Sequence, residues 1–183
     1  MVLFGAHKYC MNIYTIRQIT AYDPNARTTE KQAMRNWLIG KKQEFQFAVT
    51  LTIKQTITVK NDKGTYKHRL KRNDVDAIAE RFTQKLNEQV FGHSAKRHKR
   101  KLLYIPIVEG VQNGKNLHLH FAIGHYPKDR LPNQFPQLVQ NAITLVTELD
   151  EQHKVDVMDS GWFEYITKEL SARNTDNVLW HLA

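Results

Sequence analysis

The sequence has one cysteine, eight glycines, five prolines and no long hydrophobic run. Cys10 cannot form a disulfide within the chain, so nothing indicates an oxidising compartment. The low glycine and proline content excludes collagen-like and low-complexity proteins. No stretch reaches the roughly 18 apolar residues that a membrane span requires, and the apolar start at residues 2–6 is too short for a signal peptide. These absences predict a soluble intracellular protein, cytoplasmic or, in a eukaryotic host, nuclear, without a membrane partner.

Positive charge is what the sequence has in excess, with 27 Lys and Arg against 18 Asp and Glu and a net charge of +9. It is concentrated at residues 67–72, the first basic run, and at residues 96–101, the second basic run. Dense positive runs bind phosphate backbones because they release condensed counterions, although a solvated loop explains such a run equally well. The cations predicted to contact nucleic acid are Lys67, Arg69, Lys71, Arg72, Lys96, Arg97, Lys99, Arg100 and Lys101.

The 183 residues are enough for one domain with a hydrophobic core. Alternation of apolar and polar residues predicts strands, and apolar residues at helical spacing predict helices. The predicted strands are 45–53, 102–109, 117–124 and 154–158, with a further extended piece ending in a turn at 61–64, and the predicted helices are 28–39, 74–90, 137–149 and 162–172.

The order of these elements predicts an α+β fold. After an N-terminal extension (residues 1–43), a core at residues 44–173 reads β-α-β-β-α-β followed by a helix. This is the ferredoxin-like arrangement, an antiparallel sheet with helices packed on one face. The other face of the sheet is then expected to be free to carry a functional site.

Two histidines on one predicted strand are the first candidates for that site. His118 and His120 project from the same face because alternate side chains of a strand share a face. Two imidazoles on a rigid strand suit a divalent metal, although two surface histidines would show the same pattern. Glu109 ends the preceding strand, and it would complete a site of two imidazoles and one carboxylate if it lies opposite either histidine. A register shifted by one residue would turn it to the core.

Tyr165 and Lys168 lie three residues apart on the last predicted helix and are therefore neighbours. Tyr165 lies at the edge of the apolar stripe of this helix and Lys168 lies beyond it. This placement favours a phenol presented to a site beside a cation, which stabilises a phenolate. A packing tyrosine beside a solvated lysine is the structural alternative.

Three patterns together resemble the HUH endonuclease superfamily, and most closely its single-tyrosine rolling-circle replication initiators (Rep proteins). Residues 47–52 resemble the first motif of that family, a strand that helps to bind the origin and here includes Thr50 and Thr52. The segment from Glu109 to Phe121 resembles the second motif, and Tyr165-Ile166-Thr167-Lys168-Glu169 the third. The resemblance covers residues 45–172. No G-x-x-x-x-G-K-[ST] phosphate loop is present, so no helicase domain is expected.

The resemblance implies a replication initiator that nicks and religates single-stranded DNA at an origin near a stem-loop. Tyr165 would be the nucleophile that forms a 5′-phosphotyrosine, with Lys168 beside it. Glu109, His118 and His120 would bind Mg²⁺ or Mn²⁺, and a host helicase and polymerase would be partners. Two alternatives stay open: a single-tyrosine HUH transposase of a mobile element, or a non-catalytic nucleic-acid-binding module with a ferredoxin-like fold.

Overall fold

The computed structural model describes residues 29–110, 116–168, 170 and 176–183. Cys10, most of the N-terminal extension, the centre of the turn before His118, and Glu169 lie outside these residues. Among the described helices, none has both the length and the apolar character of a membrane span. The strands are β1 (Phe45–Ile53), β2 (Thr56–Asn61), β3 (Gly64–Arg69), β4 (Leu103–Glu109), β5 (His118–Gly124) and β6 (Leu149–Val157), and the helices are α1 (Glu30–Gly40), α2 (Arg72–Phe91), α3 (His93–Arg97), α4 (Phe135–Thr144) and α5 (Ser160–Ile166).

The predicted α+β class is confirmed: four strands form an antiparallel sheet in the order β4-β5-β1-β6, and helices pack against it. This strand order and the alternation of strands and helices are compatible with a ferredoxin-like core. Strands β2 and β3 form a separate hairpin. Pro106 lies on β4, which is the edge strand that its missing N–H favours. Its carbonyl accepts a hydrogen bond from the Leu179 N–H, so the C-terminal segment covers part of this edge.

Local signals in the sequence set most helix ends. Thr29 caps α1 by accepting a hydrogen bond from the Gln32 N–H, as the capping pattern predicts. Gly92 ends α2 with a positive φ of 56°, which glycine adopts at little cost. The helix predicted over 74–90 begins earlier, at Arg72. The Asp74 carboxylate accepts a hydrogen bond from the Lys71 N–H and so satisfies a backbone donor at the start of α2.

One face of the sheet carries the larger hydrophobic core. Helices α2 and α4 cover this face, and Phe82 of α2 packs against Phe121 of β5 with ring centroids 5.3 Å apart. Both phenylalanines are fully buried. Burial of large apolar side chains is the main source of stability here. It also fixes the direction of β5, because a strand that turns Phe121 inward must turn its neighbours His118 and His120 to the opposite face.

The prediction that helices pack on only one face is wrong. Helices α1 and α5 lie on the second face, where Met34 and Leu38 of α1 and Phe163 of α5 form a second core with Ile105 and Ile107 of β4. Both helices are amphipathic, and an apolar stripe must be buried against another apolar surface. The second face is therefore covered over part of its area, and only the remainder is available for a site.

The later element boundaries also differ from those predicted. Helix α4 ends at Thr144, and Leu149 begins β6 instead of ending a helix. The last helix, α5, ends at Ile166, whereas the predicted helix continued to residue 172, which lies outside the described residues. The residues that α4 buries are Phe135, Val139, Ala142 and Ile143, whereas Leu145 is exposed just after the helix ends. The chain changes direction after short connections that hydrophobic spacing alone does not reveal.

Candidate active site

The register of the sheet places the predicted polar residues on one face. Glu109 of β4 lies directly opposite His118 of β5, and His118 lies opposite Thr52 of β1. In the next row of the same face, His120 lies opposite Thr50. Because facing residues of antiparallel strands share a face, the second face carries, beside its apolar core, a carboxylate, two imidazoles and two hydroxyls.

Each histidine has a threonine hydroxyl as a neighbour. The Thr50 hydroxyl lies 3.1 Å from His120 Nδ1, and the Thr52 hydroxyl lies 3.4 Å from His118 Nδ1. A partner on one ring nitrogen orients the ring and determines the role of the other nitrogen. Both imidazoles are thus held through Nδ1 at the sheet. Thr50 and Thr52 were predicted as DNA-binding residues, and the structure places them beside the histidines.

Glu109 connects the sheet to the last helix. One carboxylate oxygen bonds to His120 Nε2, and the other lies 2.7 Å from Lys168 Nζ. Burial raises the pKa of Glu109, but the bonds with Lys168 and His120 outweigh it and hold the pKa below its ordinary value. Glu109 is therefore anionic at neutral pH. Burial lowers the pKa of His120 despite the nearby carboxylate, which favours the neutral imidazole.

Helix α5 brings Tyr165 to the same face. The Tyr165 ring stands nearly perpendicular to the His120 ring at 5.4 Å, and it stacks on Trp162 at 5.3 Å. Lys168 Nζ lies 3.9 Å from the centre of the Tyr165 ring, as in a cation–π contact. Tyr165 remains 44% exposed. The tyrosine is thus held by two aromatic neighbours and a cation while its ring stays accessible to a ligand.

Short-range and long-range features together position α5. The Asp159 carboxylate caps the helix by accepting from the Trp162 N–H. Phe163 and Ile166 are buried in the second core, and Tyr165 therefore falls at the edge of the apolar stripe, where the sequence predicts it. Burial lowers the pKa of Lys168, but its hydrogen bonds to Glu109 and Tyr165 raise it above its ordinary value. Lys168 is a cation throughout the neutral range.

The donor atoms at this site fit a divalent metal ion. His118 and His120 both engage a hydroxyl through Nδ1, so Nε2 is the atom that each would offer to a metal; Nε2 of His120 is bonded to Glu109 and would exchange that contact for the ion. Within the described part of the chain, no three His, Cys, Asp or Glu side chains are grouped as they stand to hold a metal. Two imidazole nitrogens and one carboxylate nevertheless form a donor set that divalent ions use.

The sequence did not reveal three residues that support this site. Trp162 belongs by helical spacing to the apolar stripe of the last predicted helix, yet it contacts both His120 and Tyr165. Arg35 of α1 donates from Nε to the Thr167 hydroxyl at 2.6 Å and from Nη2 to the Glu164 carbonyl. Lys31 donates to the Lys168 carbonyl at 2.8 Å. Cations beside the terminal carbonyls of a helix satisfy otherwise unpaired acceptors. Lys31 and Arg35 of α1 therefore fix the C-terminal end of α5.

We expect Arg35→Ala to lower the free energy of unfolding by about 1–3 kcal/mol, because it removes a charged donor from the Thr167 hydroxyl and the Glu164 carbonyl. Urea unfolding followed by circular dichroism measures this change. Asn36→Ala is the matched control, since Asn36 is on the exposed face of the same helix. Equal stabilities of the two variants would contradict the proposed tie between α1 and α5.

The structure separates the two basic runs. The first basic run begins on β3, in the hairpin that leaves the main sheet after Ile53. The Ile53 N–H donates to the Leu117 carbonyl, next to His118. The first basic run therefore lies at the end of the sheet that carries Glu109 and His118. The second basic run precedes Leu103, at the opposite end of β4 and about 20 Å from Glu109. Only the first run therefore lies beside the site, although cations of both runs are predicted to contact nucleic acid.

Several cations of the two runs have partners within the chain. Arg72 Nη1 bonds to the Asp76 carboxylate at 2.7 Å, and Lys96 Nζ bonds to Glu88 at 3.1 Å. Lys67 and Arg69 are exposed on β3, and Lys71 is exposed just before α2. Arg97, Lys99, Arg100 and Lys101 are exposed before β4.

Comparison of the chain with protein-family models, with curated proteins and with solved structures gives no match.

Proposed function

We propose that this protein is a metal-dependent HUH-type endonuclease that nicks and religates single-stranded DNA, in the manner of a replication initiator. The observation that carries the proposal is the meeting of Glu109, His120, Tyr165 and Lys168 on one sheet face. Glu109 and His120 come from the two strands of the β4–β5 hairpin, whereas Tyr165 and Lys168 come from α5 and the turn after it, far along the chain.

Tyr165 is the proposed nucleophile. Its phenolic oxygen forms a bond to the phosphorus of one phosphodiester, and the bond from that phosphorus to the 3′ oxygen breaks. The phenol loses one proton and the departing 3′ oxygen gains one, so the transfer needs no further reactant. The product is a 5′-phosphotyrosine and a free 3′-hydroxyl. The reverse reaction of that hydroxyl restores the DNA, which allows religation at the same site.

Glu109, His118 and His120 are the residues that would hold a divalent metal. Such an ion, when bound, supplies Lewis-acid polarisation of a phosphate oxygen and stabilises the charge that develops there. His118 and His120 remain oriented by Thr52 and Thr50. His120 is only 1% exposed and bonds directly to the Glu109 carboxylate, so these two residues would have to exchange their mutual contact for contacts with the ion.

Lys168 has two proposed tasks. Its ammonium group lies between the Glu109 carboxylate and the Tyr165 ring. There it stabilises a tyrosyl oxygen that becomes negative during attack, and it neutralises part of the phosphate charge. Because Lys168 also bonds to Glu109, it holds the end of α5 close to the carboxylate. Lys168 therefore positions Tyr165 and also stabilises negative charge during the reaction.

Formation of a covalent adduct tests this function. Full-length protein is incubated with Mn²⁺ and a labelled pool of random single-stranded DNA, and the products are separated on a denaturing gel. We expect a labelled band at the position of the protein that withstands boiling in detergent and disappears after protease digestion. Sequencing of the recovered strands then identifies the nicked site. A random RNA pool is the matched control, and absence of any DNA adduct with Mn²⁺ or Mg²⁺ would refute the proposal.

The same assay separates the other candidate functions. A non-catalytic nucleic-acid-binding module would retain DNA in a native gel but would form no adduct. A single-tyrosine transposase would form the adduct, and the DNA beside its gene would contain terminal hairpins instead of a single origin stem-loop. We favour replication because Lys168 follows the tyrosine by three residues, where the related transposases more often carry Gln.

A further inference from the structure

Strands β2 and β3 form a two-stranded ribbon that the proposed chemistry does not use. The two strands pair from Thr56 opposite Arg69 to Asn61 opposite Gly64. They are not part of the main sheet. We refer to residues 56–69 as the ribbon. Six paired residues make it about 20 Å long, with its strands about 4.8 Å apart.

The two faces of the ribbon differ in composition and in exposure. The inner face packs on the protein in the half nearest the main sheet, where Ile57 contacts the main core and His68 Nε2 lies 3.4 Å from the Asp74 carboxylate at the start of α2. All side chains of the outer face are exposed, and this face combines three cations with three threonines and contains no acidic residue. The outer face consists of Thr56, Thr58, Lys60, Thr65, Lys67 and Arg69.

The ribbon leaves the main sheet close to the candidate active site. Thr52 lies opposite His118, and the ribbon begins only four residues later, at Thr56. The Gln55 amide donates to the Asn116 side chain just before β5, and the Leu70 N–H donates to the Gln55 carbonyl. The base of the ribbon, where Thr56 pairs with Arg69, is thus fixed to the end of the sheet that carries Glu109 and His118.

We infer that the outer face of the ribbon binds in the major groove of duplex DNA beside the strand that enters the active site. The major groove of B-form DNA is about 12 Å wide and admits a two-stranded ribbon. The lysines and the arginine match the charge of the phosphates that line the groove. Threonine hydroxyls and methyl groups can contact base edges. This inference rests on the proposed function for its choice of DNA, and it adds a duplex-binding element to a single-strand nuclease.

The shape of the ribbon favours DNA over RNA. The major groove of an A-form RNA helix is deep and narrow, and protein elements do not enter it. A purely electrostatic contact would not distinguish the two duplexes, because both carry a phosphate on each nucleotide. A preference for duplex DNA that depends on Lys60, Lys67 and Arg69 is therefore the signature of groove binding.

Binding measurements with two charge-matched variants test the inference. The first variant is Lys60→Ala/Lys67→Ala/Arg69→Ala. The second is Lys42→Ala/Lys128→Ala/Arg130→Ala, which removes the same types of charge from the opposite end of the sheet. Fluorescence anisotropy at several salt concentrations measures the affinity of each for three probes. The probes are a DNA hairpin with a single-stranded tail, the tail alone and an RNA hairpin of the same sequence.

We expect the ribbon variant to bind the tailed DNA hairpin at least roughly tenfold more weakly than wild type, with a log–log salt slope lower by about 2 to 3, since each lost phosphate contact removes about 0.9. The control variant should bind as wild type does. Equal binding of the hairpin by both variants would overturn the inference, and so would a wild-type protein that binds the RNA hairpin as tightly as the DNA hairpin. Failure of the proposed nuclease function appears separately, as absence of a wild-type adduct on single-stranded DNA.

Discussion

Tyr165→Phe is expected to abolish both DNA nicking and the covalent protein–DNA adduct. The substitution removes only the phenolic oxygen, which is the atom proposed to attack phosphorus, and it keeps the ring that stacks on Trp162 and contacts His120. Loss of a nucleophile commonly lowers the rate by more than about 10³-fold. The adduct band should therefore fall below detection on a denaturing gel, while the thermal unfolding temperature and the affinity for single-stranded DNA change little.

Tyr66→Phe is the matched control for this result. Tyr66 is 49% exposed and Tyr165 is 44% exposed, so the two substitutions change tyrosines of similar overall exposure. Tyr66 lies on the inner face of the ribbon, away from the imidazoles, and its variant should form the adduct at the wild-type rate. An adduct that persists in Tyr165→Phe would show that another group is the nucleophile, and peptide mapping of the labelled protein would identify it.

Removal of the divalent metal or of its imidazole ligands is expected to have the second large effect. Nicking should be lost in excess EDTA and should return when Mn²⁺ or Mg²⁺ is added. His118→Ala/His120→Ala should also lose nicking, because the remaining Glu109 carboxylate alone binds a divalent ion weakly. Adduct formation is measured on the denaturing gel, and Mn²⁺ binding by calorimetry gives a measurement that does not depend on activity.

A second variant distinguishes loss of metal binding from loss of folding. His120 is buried, so its replacement by Ala leaves a cavity and also removes a partner of Glu109. His118 is more accessible, and His118→Ala alone should weaken Mn²⁺ binding by about 10-fold or more while the fold is retained. His153→Ala is the control, since His153 lies on β6 opposite Leu51 of the core face. Full nicking activity in EDTA would contradict the assignment of the metal site.

The position of Glu109 illustrates a limit of sequence reasoning. The sequence predicts the strands of the β4–β5 hairpin and the face of each histidine, since Leu119 and Phe121 between and beyond them are apolar. It leaves the register open, and a shift by one residue would have turned Glu109 to the core. The structure pairs Glu109 with His118. This register follows from burying apolar residues of β4 and β5 against helices that are distant in sequence, which no local pattern expresses.

The covered second face of the sheet is another feature that the sequence did not reveal. The amphipathic patterns of α1 and α5 predict that each helix buries one face. These patterns do not specify the surface against which each apolar face packs. The ferredoxin-like order of elements predicts a free second face of the sheet, and that prediction is wrong. In the structure α1 and α5 pack together there, and Arg35 joins them through Thr167. As a result, Tyr165 lies over the histidines.

The sequence by itself determined the types of elements, the inward and outward faces of the strands, and the residue types that could take part in phosphate chemistry. These are local properties, because they depend on periods of two or about 3.6 residues and on capping residues within one turn. Tertiary structure decided the register that brings Glu109 to the histidines, the packing of α5 that brings Tyr165 and Lys168 to them, and the separation of the two basic runs. These distances join residues far apart in the chain, and they are set by the burial of apolar surface from many elements at once.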